Sequence, residues 1–221
     1  CQRAHRPQHK NECKKRAADL HDEALFKQPP PREDCDVCFL PLPLETSSQK
    51  YQPCCGKTLC VGCIYTIALT GNNDNRSLCP FCRTRDAASE GEAIARIKKR
   101  VGGGDAGAMH QLGCIYEEGN MGMPQDKKKA YYNGEGVEVD TTKANSYEEL
   151  AAMAGHVVSR YNLGISEARA GNIDRAVKHL MISASAGDDD SLKKIRECFL
   201  NGHATKDDFE KALRSHKEAN D

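Results

Sequence analysis

The sequence predicts a mostly α-helical protein in which a small cysteine-rich module precedes a solenoid of paired helices. Two observations carry this prediction. Eight of the 12 cysteines in the 221-residue chain fall between Cys35 and Cys82, which indicates a compact module held together by its sulfur atoms. From residue 105 onward, short runs of small and apolar residues recur every 32 to 36 positions. A period of that length is typical of stacked helical hairpins.

The overall composition argues against two classes of function. Lys and Arg total 32, as do Asp and Glu, so the formal net charge is zero. Nucleic acid is therefore not an expected partner, although one local basic cluster comprises Lys10, Lys14, Lys15 and Arg16. No apolar run approaches the roughly 18 residues of a spanning helix, so no membrane association is expected. We expect an intracellular location, cytoplasmic or nuclear, although a start at Cys1 leaves room for an upstream targeting signal.

The eight clustered cysteines form four pairs. Three pairs have the C-x2-C spacing that lets two thiolates share one tetrahedral zinc ion: Cys35 and Cys38, Cys60 and Cys63, and Cys79 and Cys82. The remaining pair is adjacent, Cys54 and Cys55. A disulfide framework suits small secreted chains, whereas local C-x2-C pairs favour zinc. Cys114 and Cys198 stand alone, and we expect them to be buried as small hydrophobic residues.

The order of these pairs resembles a RING-type zinc finger. In that family, the first and third pairs hold one zinc ion, and the second and fourth pairs hold the other. The resemblance therefore implies two structural zinc ions in a cross-braced domain over residues 34–86. The implied ligands of the first ion are Cys35, Cys38, Cys60 and Cys63. The implied ligands of the second ion are Cys54, Cys55, Cys79 and Cys82.

The second pair departs from the family pattern. Most RING fingers have histidine at the position occupied here by Lys57, and a protonated lysine cannot ligate zinc. Shifting the pair back by one residue, to Cys54 and Cys55, restores the ligand count but needs a tight turn, to which Gly56 can contribute. The alternative is a second site with three cysteines, completed by water or left weak.

The RING resemblance also implies a partner and an activity. Val37, Ile64 and Pro80 occupy positions that in RING ubiquitin ligases form the groove for the ubiquitin-conjugating enzyme. Arg83 directly follows the last ligand, where an Arg or Lys bridges that enzyme and its ubiquitin; it is the candidate allosteric linchpin, and no residue is expected to be a catalytic nucleophile. The alternative is a non-catalytic scaffold, in which Val37 and Ile64 are local core and Arg83 is a solvated charge.

Residues 1–33 are predicted to be a truncated zinc-finger tail, a helix and a proline linker. Cys1, His9 and Cys13 resemble the last three ligands of a MYND-type zinc finger, but the preceding ligands are missing, so we expect no complete zinc site there. Composition predicts a helix from Asn11 to about Phe26. Three prolines then end the helix and stiffen the linker.

The remaining chain is predicted to be helical. Residues 87–104 are a connecting helix with Ala93, Ile94, Ile97 and Val101 on one face, followed by a glycine linker. Residues 105–217 contain the repeats, and residues 218–221 are a tail. Five histidines are expected on the surface: His110, His156, His179, His203 and His216.

The repeats contain Leu112-Gly113 and its echo Leu163-Gly164, together with the recurring pairs Lys143-Ala144 and Arg175-Ala176. These motifs resemble the Sel-one-like repeat, a relative of the TPR, and imply a surface for an unknown protein substrate or scaffold partner. One repeat is shortened near residue 130. We therefore expect residues 124–142 to be the least ordered part of the array.

Overall fold

The computed structural model of the protein describes residues 6–70, 78–119 and 139–221. Within them the fold is mostly helical, with one two-stranded antiparallel sheet. Its N-terminal half contains helix α1, strands β1 and β2 and helix α2, at Arg6–Leu25, Gln49–Gln52, Lys57–Cys60 and Val61–Thr70. A single 3-10 turn, Thr46–Ser48, precedes β1. None of the described helices is long and apolar enough to cross a membrane.

The C-terminal part consists of seven described helices, and each packs on the next one along the chain, including the two on either side of the gap in the described residues. Helices α3 to α9 span Glu90–Val101, Ala106–Glu118, Thr141–Met153, Val157–Arg169, Ile173–Ser185, Asp189–Leu200 and Lys206–Asn220. Helix α4 packs on α5, α5 on α6, and α6 on α7, and α8 and α9 close the far end. The predicted truncation near residue 130, and most of the stretch 124–142, lie outside the described residues.

The helices of the array begin at polar caps. The side chains of Asp105, Asp140 and Asp188 each accept a hydrogen bond from the backbone N–H three residues later, at the start of α4, α5 and α8. Because the first N–H groups of a helix have no intrahelical partner, such caps stabilise a helix by about 1 kcal/mol each. These aspartates therefore fix where α4, α5 and α8 start.

Small residues let successive helices of the array approach closely. A Cβ atom built on Gly164 of α6 would lie 2.9 Å from Leu180 Cγ of α7 and 3.4 Å from the carbonyl oxygen of Ala176. The equivalent glycine of the preceding pair, Gly113, would meet Glu148 Cγ at 3.2 Å and a carbonyl oxygen of α5 at 3.3 Å. Two helix pairs therefore share one packing geometry, with a leucine in one contact and a glutamate in the other.

The N-terminal segment packs on this array. Leu25 is fully buried with Ala152 and Leu163. The buried guanidinium of Arg160 donates to the carbonyl oxygens of Lys27, at 3.1 Å, and Ala152, at 2.9 Å. The end of α1 and the start of the proline linker are therefore part of the array's packing.

The cysteine-rich module also docks on the array. The hydroxyl of Tyr51 in β1 donates to Asp105 Oδ2 at 2.8 Å, and Arg100 Nη2 donates to the carbonyl oxygen of Cys54 at 3.1 Å. The Tyr51 ring also packs against the apolar core between α3 and α4, which includes Ile97 and Leu112. The cap of α4 is thus hydrogen-bonded to the hairpin that carries Cys54, Cys55 and Cys60.

Candidate metal centre

The first cysteine cluster joins three local elements. Cys35 and Cys38 lie in a turn before the sheet, Cys60 ends β2, and Cys63 lies in the first turn of α2. Their four sulfur atoms lie within 4.8 Å of one another, with Cys38 and Cys60 3.9 Å apart. In a tetrahedral site with Zn–S bonds of about 2.3 Å, neighbouring sulfurs are about 3.8 Å apart. The cluster therefore fits a zinc ion without rearrangement of its elements.

The second cluster brings together Cys54, Cys55, Cys79 and Cys82, again within 4.8 Å, with 3.7 Å between the sulfurs of Cys55 and Cys79. The adjacent pair lies in the turn between β1 and β2. Gly56 ends this turn with φ of +76°, in the left-handed region, where a residue without Cβ is unstrained. The turn thereby places both adjacent thiols in one cluster that can hold a second zinc ion.

The two outer turns, residues 35–40 and 79–84, have the same backbone geometry. In each, the residue after the second cysteine donates its N–H to the carbonyl of the first cysteine, at 2.8 Å and 3.0 Å. The first cysteine then donates to the carbonyl five positions later, at 2.8 Å and 2.9 Å. Phe39 and Arg83, at equivalent positions, have φ of 56° and 57°. Two sequences with little in common thus form one turn that presents paired sulfurs.

Lys57 takes no part in either cluster. Its ammonium group forms an ion pair with Asp36 Oδ1 at 3.0 Å on the surface of the module. Lys57 is therefore used for a salt bridge, and Cys54 supplies the fourth sulfur atom of the second cluster.

Each cluster contains one thiol with a lowered pKa, whereas the pKa is raised for Cys63 in the first cluster and, mainly by burial, for Cys54 and Cys55 in the second. Burial raises the pKa of Cys35, but N–H groups of Cys38 and its neighbours outweigh burial and lower that pKa to about 6. The pKa of Cys63 is raised to about 12, first by its hydrogen bond to Cys60. In the second cluster, a hydrogen bond from Thr84 lowers the pKa of Cys82 to about 6. Since neighbouring thiolates repel one another, a divalent cation stabilises the fully ionised set.

The four predicted partner-binding residues divide into two groups. Ile64 and Pro80 line a common depression of about 80 Å³ beside α2. Val37, which is 40% exposed, and Arg83, which is also exposed, lie outside its lining. Large exposed apolar side chains are frequent in this module: Val37, Phe39, Leu40, Val61, Tyr65, Leu69 and Phe81.

A third group of potential ligands lies in the array, where the sequence predicted only surface histidines. His110 is 4% exposed, and its Nδ1 lies 3.1 Å from both carboxylate oxygens of Glu148. Burial alone lowers the pKa of His110, but Cys114 and Glu148 outweigh it and raise that pKa to about 10. Cys114 is half-buried and lies among these polar groups, whereas an apolar site was expected. The signal in the sequence was the four-residue spacing of His110 and Cys114, which places both on one helix face.

The prediction that the other histidines lie on the surface is wrong for His179 and correct for His203, which is exposed. His179 is fully buried, its ring 4.7 Å from that of Phe26. His156 and His216 are half-buried. Cys198 is also half-buried, although full burial was expected. Tertiary packing by the N-terminal segment buries His179, and no periodicity within the array reveals that contact.

Comparison with known proteins confirms Sel1 repeats in the first part of the predicted array. Residues 106–132 and 129–156 match the family model of the Sel1 repeat. No zinc-finger family of the RING or MYND type is detected. The solved structure of a Sel1 repeat protein from Oxalobacter formigenes is similar, with 21% identity over 61% of this chain and a TM-score of 0.44. The match covers 51% of that protein, so the chain spans about half its length. No curated protein matches the chain significantly.

Proposed function

We propose that the protein is a zinc-dependent RING-type ubiquitin ligase, or the adaptor of one. Residues 34–86 recruit a ubiquitin-conjugating enzyme, and the Sel1-type array binds a protein substrate or assembly partner. The interleaving of the two cysteine clusters is the observation that carries this proposal. The first and third pairs share one cluster, while the second and fourth pairs share the other.

Zinc has a structural role in this proposal. Each ion is held by four protein sulfurs, which leaves no position for an activated water. The ions neutralise the ionised thiolates and tie the two outer turns to the hairpin and to α2. The cysteines therefore position the docking surface and are not nucleophiles.

The docking surface consists of apolar side chains on the two turns and on α2. Val37, Ile64 and Pro80 supply apolar contact with the conjugating enzyme. The exposed guanidinium of Arg83 donates charge-assisted hydrogen bonds across the enzyme and its ubiquitin. Catalysis then comes from holding the thioester of the partner in a reactive orientation.

Autoubiquitination by the full chain, with a panel of conjugating enzymes, tests the proposal. Arg83→Gln keeps a polar side chain that can donate hydrogen bonds but removes the charge, so we expect activity to fall at least about tenfold, equivalent to 1.4 kcal/mol in the transition state. Zinc content should stay unchanged. Arg85→Gln is the matched control, because Arg85 is also exposed and lies only two residues away. Equal activity of wild type and Arg83→Gln would reject the bridging role.

The second candidate function is a non-catalytic scaffold, with zinc required only for folding and the array for binding. The absence of a detected RING family favours it. A fully zinc-loaded chain without activity toward any conjugating enzyme in the panel would establish this alternative over the ligase.

A further inference from the structure

The third group of potential ligands joins two helices of the array. His110 and Cys114 lie one turn apart on α4, and Glu148 faces them from α5. One ligand atom from each lies within 4.8 Å of the other two. With His110 Nδ1 as the ligand atom, Nδ1 is 3.1 Å from Glu148 Oε1 and 3.9 Å from Cys114 Sγ, and Cys114 Sγ is 3.9 Å from Glu148 Oε1.

These separations are close to the edges of a zinc coordination tetrahedron. Bonds of about 2.0 Å to nitrogen and oxygen and about 2.3 Å to sulfur give edges of about 3.3–3.6 Å. Imidazole, thiolate and carboxylate are all ligands that zinc accepts. We propose that His110, Cys114 and Glu148 bind a third zinc ion, which links α4 to α5 inside the array.

The surroundings hold these side chains in place. Because Gly113 has no Cβ, the Glu148 side chain can pass directly over α4. Asn162 Nδ2, from α6, donates to Glu148 Oε1 at 3.0 Å. A group that orients a metal ligand in this way typically strengthens metal binding by 10- to 100-fold.

The next helix pair provides an internal comparison. Gly164 packs on Leu180 as Gly113 packs on Glu148. Counting from these glycines, Tyr161 stands where His110 stands, and Ile165 stands where Cys114 stands. Tyr161 packs against the apolar cluster around Leu180. The array therefore folds with Tyr161, Ile165 and Leu180 at these positions. Its packing does not require the polar side chains of His110, Cys114 and Glu148.

The site is open on one side. His110, Cys114 and Asn162 line a groove of about 1030 Å³ between the array and the cysteine-rich module, whereas Glu148 is 3% exposed. Three protein ligands leave the fourth zinc position to water from this groove. That arrangement differs from the two tetrathiolate clusters and makes the sites spectroscopically distinct.

The test uses the full chain loaded with ¹¹³Cd²⁺ for NMR and with Zn²⁺ for metal counting. The proposal predicts three zinc ions per chain. It also predicts three cadmium resonances, one of them well upfield because nitrogen and oxygen replace most of its sulfur ligands. A variant combining His110→Tyr, Cys114→Ile and Glu148→Leu installs the side chains of the next helix pair. We expect it to fold, to bind two zinc ions and to lack the upfield resonance.

Two further variants keep the test decisive. Glu148→Gln preserves the shape of the side chain and should weaken the third site at least about tenfold if the carboxylate is a ligand. His9→Ala combined with Cys13→Ala removes potential ligands near the N-terminus and should leave the third ion in place. Two zinc ions in the wild type, or an upfield resonance that survives the triple substitution, would overturn the proposal. If the two tetrathiolate resonances were missing from the wild type, the zinc sites of the proposed function would be contradicted, independently of this third site.

Discussion

The cysteine-rich module and the helical array are stabilised by different means. Among the described residues 34–86, the buried apolar core consists of Leu42 and Leu59 together with Cys35 and Cys79. The array buries many more apolar side chains, among them Ala108, Leu112, Ile115, Ala151, Ala152, Leu163, Ala176, Leu180, Ala184 and Ile195. We therefore expect the module to depend on metal for its folding energy, whereas the array is held by packing. Removing the metal should therefore unfold the cysteine-rich module and leave the helical array folded.

Cys60→Ser should produce the largest effect, because structural zinc supplies about 10–16 kcal/mol of apparent binding free energy in small metal-dependent domains. Cys60 ends β2 and belongs to the first cluster. We expect loss of one zinc ion and loss of amide protection in β2 and α2. Helix α7 should keep its protection in hydrogen exchange.

Cys198→Ser is the matched control, since Cys198 is a lone, half-buried thiol in the array. It should leave the zinc content unchanged. If Cys60→Ser removed protection from α7 as much as from β2, the two regions would not differ in the way described.

Acid should lower the stability of the helical array through the buried side chain of His179. Burial, reinforced by the charges of Arg160 and Arg175 and opposed by Glu167 and Asp22, lowers the pKa of His179 to about 4. Neither ring nitrogen has a hydrogen-bond partner among the described residues.

Above pH 6.5, His179 is neutral in both the folded and the unfolded chain, so it adds no pH dependence. Below that pH, the unfolded chain binds a proton that the folded chain resists, and stability falls until the pH reaches the folded pKa near 4. Between pH 7.5 and 5, this group should cost the wild type about 2 kcal/mol.

Denaturant unfolding of wild type and His179→Leu at both pH values measures this effect. Zinc release in acid affects both proteins alike, so the difference between them isolates the histidine. An equal loss of stability in the two proteins would mean that His179 is protonated in the folded state without cost.

Sequence patterns predicted the structural features that depend on the spacing of residues close together in the chain. The spacing of the apolar residues in α3 placed Ala93, Ile94 and Ile97 on one face, and all three are buried. The C-x2-C pairs likewise indicated which sulfurs meet, because a turn of that length brings both thiols to one side. Helix α1 begins earlier than Asn11, at Arg6, because sequence patterns fix helix ends only loosely.

Contacts between distant segments could not be read from the sequence. Arg160 is 1% exposed because the end of α1 and the linker cover it, with Lys27 supplying an acceptor 133 residues away. The burial of His110 depends on which helix faces it across the array. A period near 36 residues gives the number of helices in a repeat but not the partners of a particular side chain.

The smallest expected effect concerns the backbone conformation that the two outer turns of the module share. Phe39 and Arg83 adopt the same left-handed backbone conformation, which costs a residue with Cβ about 1 kcal/mol or more. Phe39 is 76% exposed, so its ring contributes little to packing.

Phe39→Gly should relieve this strain and, after the entropy cost of glycine, tighten zinc binding at the first cluster by up to about fivefold. Phe39→Val should weaken binding, since a β-branched side chain fits this conformation poorly. Competition with a chromophoric chelator measures both variants, and equal zinc affinity for glycine and valine would show that the backbone conformation at this position does not limit metal binding.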